Sequence, residues 1–149
     1  MTPNILIVEA PFYPHIAEGL RDGATDALKE AGARFERIAV PGALDIPPAI
    51  LFAARAAEKA GAAYDGFVAL GCVIRGETYH FEIVANQSAA GLMELALHHG
   101  LCIGNGILTC ENEEQAIARA GPDGRNKGAD AARACLALVE TRVGHGGAA

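Results

Sequence analysis

The chain alternates four times between a short apolar run and a longer segment whose apolar residues recur at helical spacing. The apolar runs cover residues 4–8, 35–40, 67–74 and 101–109. Strands that are apolar on both faces are typical of parallel sheets that helices cover on both sides. The pattern therefore predicts an α/β three-layer sandwich, with a four-stranded parallel sheet between two layers of helices and right-handed crossovers.

Glycine and proline mark the ends of the intervening helical segments. Gly32 and Gly100 each follow a helical pattern, where glycine is a common terminator. Asn112 and Gln115 have the spacing of a capping box at the start of a short helix. Helices are predicted at 14–31, 50–60, 80–99, 112–120 and 129–143, and the prolines at 47 and 48 can start the second of them. The whole corresponds to a flavodoxin-like fold. Gly104 and Gly106 are expected to interrupt the last strand.

A chain of 149 residues can form one domain with a substantial core. We expect that domain to span residues 1–149, with about 144–149 as a flexible tail. The apolar runs are broken by glycine, proline or charge well before the length of a membrane span. The first run lacks the basic leader and cleavage site of a signal peptide and is interpreted as a strand.

The formal net charge of −6 argues against non-specific nucleic-acid binding, which requires a basic surface. The sequence contains four cysteines, and none of them forms a CxxC pair. Disulfides and metal sites are the weaker alternatives for such cysteines. We therefore expect structural thiols and a cytoplasmic location.

Polar residues gather directly after the third apolar run. In sheets of this kind, ligands bind outside the carboxyl ends of the strands. Gly76 would let the backbone turn sharply, and the N–H groups of Glu77 and Thr78 would lie near a helix start that favours anions. The segment therefore predicts a phosphate site.

His80 stands at the same junction and could transfer protons near neutral pH. An equally good interpretation from pattern alone is a histidine that only bonds to backbone. The pair His80 and Glu82 resembles the HxE of zinc deaminases, but no PCxxC follows, so no metal site is predicted.

Two further features are ambiguous from pattern alone. Arg119 and Lys127, with Arg125 between them, could clamp a phosphate, although a solvated basic loop is the commoner meaning of such a cluster. Phe12 could stack on a planar substrate, although a cap on the core is the favoured interpretation. Dinucleotide, P-loop and nucleophile-elbow motifs are absent from the sequence.

These segments, taken in order, closely resemble the lumazine synthase family of riboflavin biosynthesis. The residues that carry the resemblance are Phe12, PGALDIP at 41–47, ALGCVIRGETYHFE at 69–82, GNGILTCEN at 104–112, and the stretch from 115 to 128. The resemblance covers nearly the whole chain, and the GxVIRGxTxH block is specific.

The resemblance implies a condensation of 5-amino-6-(D-ribitylamino)uracil with 3,4-dihydroxy-2-butanone 4-phosphate. The products are 6,7-dimethyl-8-ribityllumazine, phosphate and water, and no metal or organic cofactor is used. Residues implied to contact the pyrimidine ring or its ribityl chain are Phe12, Ala43, Leu44, Asp45, Cys72, Val73, Ile74 and Asn105. A noncatalytic lumazine- or flavin-binding paralogue and a shell-forming paralogue remain alternatives.

The resemblance also implies a phosphate site and a proton-transfer residue. His80 is the proton-transfer residue, with Asp130 as a carboxylate partner. Residues implied to bind phosphate are Gly76, Glu77, Thr78, Arg119 and Lys127.

The sequence departs from the usual family pattern at three of these positions. Asp45 replaces the more usual Glu, which shortens the reach to the ribityl hydroxyls. Leu44 and Asn105 stand where Phe is common. Asn105 therefore lacks the ring that would pack on one side of the pyrimidine, and its amide could instead hydrogen-bond to the pyrimidine.

Assembly follows from the same resemblance. Family sites lie between subunits of a five-membered ring, so Phe12 and Arg119 are expected in a pocket that Asn105 of a neighbour completes. About ten residues precede Phe12, and most of them belong to the first strand, so no shell-forming extension is expected. A free pentamer is favoured over a shell of sixty subunits.

Overall fold

The computed structural model describes residues 2–147. Four strands form one parallel sheet in the order β2-β1-β3-β4, which confirms the predicted fold class. The strands are β1 (Asn4–Glu9), β2 (Arg34–Ala39), β3 (Gly66–Ile74) and β4 (Ile103–Cys110). The helices are α1 (Pro14–Glu30), α2 (Ile46–Lys59), α3 (His80–His99), α4 (Glu113–Ala120) and α5 (Lys127–Gly144), with a 3-10 turn at Ala43–Asp45. Within residues 2–147, no helix is both long and apolar enough to cross a bilayer.

The central strands supply both of the hydrophobic cores. Ile5 and Ile7 of β1 are fully buried against α1, α4 and α5 on one face of the sheet. Leu6 and Val8 are buried against α2 and α3 on the other face. Successive side chains of a strand point to opposite faces, so a continuous apolar run fills both cores at once.

Strand β2 departs from the expectation of two apolar faces. It pairs only with β1, and apart from Phe35 its residues are exposed. An edge strand has a single neighbour, so the helical layers need not cover it fully. Its polar residues, including Arg34 and Arg37, suit this exposed position.

The predicted interruption of β4 at Gly104 and Gly106 is wrong. The strand runs unbroken beside β3, with Val68 opposite Gly104 and Leu70 opposite Gly106. Glycine is needed at 104 for a different reason, since a Cβ atom there would lie 1.8 Å from the carbonyl oxygen of Ala131 in α5. The glycines let α5 approach the strand closely.

The carboxyl-terminal helices also differ in detail from the prediction. The Asn112 side chain accepts a hydrogen bond from the Gln115 N–H at 2.9 Å, as expected of an N-cap. However, Gln115 accepts from the Glu111 N–H rather than from Asn112, so only half of the capping box forms. Helix α5 begins two residues earlier than predicted and continues to Gly144. Of the predicted tail, residues 148–149 lie outside the described part of the chain.

A buried carboxylate ties three elements together at the end of β1. Glu9 is only 3% exposed and accepts hydrogen bonds from Arg21 of α1 at 2.5 and 3.0 Å and from Arg37 of β2 at 3.1 Å. Burial alone would raise the pKa of the Glu9 carboxyl, but the hydrogen bonds from the two guanidinium groups outweigh it and lower the pKa below its ordinary value. Glu9 is therefore ionised in the folded chain at neutral pH.

We expect Glu9→Gln to lower the free energy of unfolding at pH 7 by about 2 kcal/mol, because both arginines lose a charged acceptor. The carboxyl pKa is lower in the folded state, so the stabilisation exists above the unfolded-state pKa and disappears as the pH falls through the folded-state pKa. Urea unfolding at fixed protein concentration should show the two proteins converging in acid. The exposed Glu58, changed to Gln, is the matched control. A deficit that persists unchanged in acid would contradict this origin of the stability.

Candidate active site

A crevice of about 420 Å³ opens at the carboxyl ends of β1 and β3. Strand-end loops, the 3-10 turn and the first turn of α3 form its walls. The lining residues are Ala10, Phe12, Tyr13, Pro41, Gly42, Ala43, Leu44, Asp45, Cys72, Val73, Ile74, His80 and Val84. The structure thus brings together most residues that the sequence assigned to the pyrimidine and its side chain, together with the assigned histidine.

The turn after β2 forms one wall of the crevice and is held by its own hydrogen bonds. The Asp45 carboxylate accepts from the Gly42 N–H at 3.0 Å, and the Asp45 N–H donates to the Gly42 carbonyl at 3.0 Å. One carboxylate oxygen of Asp45 therefore stabilises the turn. Leu44 stays partly exposed beside it and adds apolar surface to the wall.

Two adjacent aromatic rings also line the crevice. The rings of Phe12 and Tyr13 meet edge to face, with their centroids 5.0 Å apart. Phe12 is 71% exposed, so the favoured expectation that it caps the core is wrong. An exposed ring at the crevice mouth can stack on a planar ligand.

The carboxyl end of β3 forms the floor of the crevice. Cys72, Val73 and Ile74 are half-buried there. Burial raises the pKa of the Cys72 thiol to about 12, and the neighbouring Cys110 adds to the shift. The thiol is therefore neutral at physiological pH and acts as an apolar surface rather than as a nucleophile.

His80 is the first residue of α3 and is exposed on the crevice wall. The Thr78 hydroxyl accepts a hydrogen bond from the His80 backbone N–H at 3.4 Å. Across the described part of the chain, no carboxylate pairs with the His80 ring. The ring can therefore approach a ligand from the side of the helix start.

The backbone of residues 76–78, just before His80, is accessible from outside the protein. A Cβ atom on Gly76 would meet no atom within 4 Å. The φ angle of Gly76 lies outside the left-handed region that favours glycine. Glu77 and Thr78 are also exposed. The absence of a side chain at 76 leaves room for a ligand to reach the main chain.

Seven of the predicted site residues are not among those that line the crevice of the same chain. Three of them lie just before His80, and the other four lie on β4, α4 and α5. They are Gly76, Glu77, Thr78, Asn105, Arg119, Lys127 and Asp130. Arg119 donates to the Gln115 carbonyl at 2.9 Å on α4, and the Asn105 side chain accepts from the Ile107 N–H at 2.9 Å on β4. Helices α4 and α5 cover the face of the sheet opposite to α3. Arg119 is not among the residues that line the crevice with Phe12.

Asp130 and Lys127 form a separate ion pair in the first turn of α5. The Lys127 ammonium lies 3.5 Å from the Asp130 carboxylate, which is also 3.9 Å from Arg133. Within one chain, Asp130 is thus paired with cations rather than with His80. Residues 2–147 contain no cluster of three histidine, cysteine, aspartate or glutamate side chains suited to a metal ion.

Five lining residues were missed by sequence reasoning. They are Ala10, Tyr13, Pro41, Gly42 and Val84. Most of them flank residues that were assigned, and Val84 lies one helical turn after His80. The general expectation that whole strand-end loops line the site would have included the first four, and helical spacing from His80 would have indicated Val84.

The fold and crevice define an α/β protein with a small-molecule site at the carboxyl edge of a parallel sheet. Residues 2–142 match the 6,7-dimethyl-8-ribityllumazine synthase family. A 6,7-dimethyl-8-ribityllumazine synthase of Agrobacterium fabrum is 56% identical over 97% of this chain and 98% of its own length. The 6,7-dimethyl-8-ribityllumazine synthase 1 of Rhizobium meliloti is 58% identical over 93% of this chain and 91% of its own length. The 6,7-dimethyl-8-ribityllumazine synthase of Novosphingobium aromaticivorans is 57% identical over 93% of this chain and 96% of its own length.

The chain belongs to the 6,7-dimethyl-8-ribityllumazine synthase family. Its function is therefore that of a transferase of riboflavin biosynthesis. The family match spans every strand and all the residues that line the crevice.

Proposed function

We propose that the crevice is the site where 5-amino-6-(D-ribitylamino)uracil condenses with 3,4-dihydroxy-2-butanone 4-phosphate. The main support is that Phe12 and His80 line one cavity together with the assigned residues of the 3-10 turn and of β3. A planar pyrimidine would stack on Phe12, border Cys72–Ile74, and extend its ribityl chain along Ala43, Leu44 and Asp45. Family membership supports the choice of substrates.

The proposed chemistry requires only proton transfers. The pyrimidine amine attacks the ketone, and a first water leaves to give an imine. Phosphate is then eliminated, and the enol that remains tautomerises to a carbonyl. The second amine attacks this carbonyl and closes the ring with loss of a second water. His80 would accept and return the protons. Because no hydride or strong electrophile is involved, the reaction needs no metal or organic cofactor.

The phosphate would bind where α3 begins. The N–H groups of Glu77 and Thr78, beside the open backbone of Gly76, lie next to the positive end of a helix dipole. Arg119 and Lys127 would supply the positive side chains. Since both lie on the opposite layer of their own chain, we propose that they reach the crevice of a neighbouring copy, together with Asn105 and Asp130.

The outer surface of α3 supports assembly between copies. Ile83, Met93 and Leu97 recur at helical spacing and are exposed, Leu97 by 73%. Phe52 on α2, in the same layer, is 67% exposed. Large exposed apolar surfaces of this kind mark protein–protein contacts. We propose a ring of five, as expected from the family, with a sixty-subunit shell as the alternative that light scattering would detect.

We also propose that the chain is a single domain that acts in the cytoplasm. All four cysteines, Cys72, Cys102, Cys110 and Cys135, are free thiols in the structure. Free thiols in the interior suit a reducing compartment.

The function is tested by mixing the purified protein with both substrates and following lumazine absorbance. Turnover that needs both substrates supports the proposal. Tight binding of the pyrimidine without product would instead indicate a noncatalytic ligand-binding protein. Particle size measured on the same sample separates the pentamer from the shell.

Shared sites are tested by co-expressing His80→Ala with Arg119→Ala. If His80 and Arg119 meet across a subunit boundary, about a quarter of the sites in a randomly mixed ring regain both residues. Activity above that of either variant alone supports shared sites. If the two residues serve one chain, mixing restores no intact site.

Arg119→Ala should raise the KM for the phosphate-bearing substrate about tenfold or more, because a charge-assisted contact to phosphate is lost. The KM for the pyrimidine should change little. Steady-state kinetics with each substrate varied in turn measure both values. Arg34→Ala, at the opposite end of the sheet, is the control. An unchanged KM for the phosphate-bearing substrate would exclude Arg119 as its ligand.

A further inference from the structure

Arg75 has an unusually complete set of contacts directly after β3. Its Nε donates to the Glu111 carboxylate at 2.5 Å, and its Nη1 pairs with the Glu82 carboxylate. The guanidinium also lies over the Phe81 ring, 4.4 Å from the centroid. Its backbone N–H donates to the Cys110 carbonyl at 2.9 Å. One side chain thus joins the ends of β3 and β4 to the start of α3.

These contacts hold together the two ends of the segment that carries the proposed phosphate site. Residues 76–79 lie between Arg75 and α3, and Glu82 lies in the first turn of that helix, two residues after His80. The contacts of the segment itself are local, such as the Glu82 N–H to the Tyr79 carbonyl at 3.0 Å. The ion pair between Arg75 and Glu82 therefore fixes both ends of an otherwise exposed segment.

Arg75 is poorly suited to bind the phosphate itself. Hydrogen bonds from Arg75 lower the pKa of the Glu82 carboxyl. The Nε–H of Arg75 is also occupied, because it donates to the Glu111 carboxylate. The two carboxylates compensate its charge, and Phe81 covers one face of the guanidinium. Its contacts hold neighbouring protein groups in place.

We propose that Arg75 is a positioning residue, which holds the 76–79 segment and His80 in the geometry that receives the phosphate-bearing substrate. The inference rests on the proposed function, because it assumes that the Glu77 and Thr78 N–H groups contact phosphate. A purely structural arginine would stabilise the fold without a preference for either substrate. The effect on the two KM values therefore distinguishes the two roles.

The first test is Arg75→Met, which keeps an apolar side chain over Phe81 and removes both ion pairs. We expect the KM for the phosphate-bearing substrate to rise about tenfold or more and kcat to fall, since small misplacements of positioning groups have large kinetic effects. The KM for the pyrimidine should stay within about twofold of its original value. Arg75→Lys should restore part of the loss. Equal changes in both KM values, or no change, would overturn the inference.

Glu111→Gln gives a milder test should Arg75→Met fold poorly. This change removes a negative charge near the proposed anion site, so electrostatics alone would lower the KM for the phosphate-bearing substrate. If Arg75 positions the segment, the KM for the phosphate-bearing substrate should instead rise, because Arg75 loses one of its two charged partners. A raised KM supports the inference, and a lowered KM overturns it.

Arg142→Met is the matched control. Arg142 donates to the carbonyls of Gly100 and Asp65 at 3.1 and 2.8 Å, at the opposite end of the sheet. Its loss should lower the melting temperature without changing the ratio of the two KM values.

Calorimetry with inorganic phosphate separates failure of the inference from failure of the proposed function. If the original protein binds phosphate more tightly than Arg75→Met but forms no lumazine, the function fails and the positioning role stands. If the protein turns over and Arg75→Met keeps its phosphate affinity and its KM values, the function stands and the inference fails.

Discussion

Replacing His80 with alanine is expected to lower kcat by about a hundredfold or more while leaving measurable turnover. His80 lies on the crevice wall, and the proposed function places its ring beside the bound amine and ketone. Imine formation, phosphate elimination and ring closure each move protons, and a positioned histidine typically contributes about 10²–10⁴-fold to such steps. Alanine removes the proton carrier but leaves the rest of the crevice.

The residual activity of His80→Ala has a separate cause. Holding two reactants side by side can remove about 7–11 kcal/mol of barrier, and this contribution does not depend on a particular acid or base. Water can carry protons slowly in place of the ring. We therefore expect both KM values to stay close to those of the original protein.

Single-turnover and steady-state kinetics, followed by lumazine absorbance, measure the effect. His98→Ala is the matched control, because His98 is an exposed histidine near the other end of the same helix, 3.8 Å from Glu94. The control should retain full kcat. A kcat for His80→Ala close to the original would show that His80 does not transfer the protons. A rate no faster than the uncatalysed reaction would show that proximity contributes far less than we propose.

The parts of the fold that could be predicted are those determined by local patterns. The start of α3 at His80 and its end before Gly100 agree with the sequence, because an apolar strand precedes the helix and glycine in the left-handed conformation ends it. Residues 5–8 fill both cores, as a continuous apolar run requires. In both cases neighbouring residues carry the information.

Contacts between distant residues could not be predicted. Glu9 pairs with Arg21 and Arg37, which lie on different elements. Nothing in the sequence near Glu9 indicates that a carboxylate at the end of an apolar strand will be buried and paired. The contact depends on sheet order, which places β2 beside β1 and α1 across them.

The candidate site also contains some residues that the sequence could indicate and others whose place depends on the fold. The rule that ligands bind at the carboxyl ends of parallel strands indicated the loops that hold Phe12, Asp45 and His80. The roles of these three residues were assigned only through the resemblance to the lumazine synthase family. Arg119 and Lys127 were found as a basic cluster, but their spacing along the chain does not indicate whose crevice they serve. The family resemblance implies sites between subunits, and the place of both residues on the layer opposite α3 supports a neighbouring copy in the proposal.

Gly104→Ala is expected to cause the largest loss of stability, about 3 kcal/mol or more. The new Cβ would lie 1.8 Å from the Ala131 carbonyl oxygen and 3.2 Å from the Cys135 backbone nitrogen. Both atoms belong to the main chain of α5, so no side-chain rotation can relieve the overlap. The helix would have to move away from β4, and the core between them would lose close packing.

Gly71→Ala is the matched control, because it adds the same methyl group to the neighbouring strand β3. A Cβ atom there would meet Ile46, Ile107 and Ala10 side chains at 3.6–3.8 Å, which is ordinary van der Waals contact. The control should unfold within about 0.5 kcal/mol of the original protein, since the added bulk is offset by a less flexible unfolded chain. Urea unfolding by circular dichroism, at equal protein concentration, compares the three proteins. If both variants were equally stable, β4 and α5 would not be in the close contact that makes glycine necessary at 104.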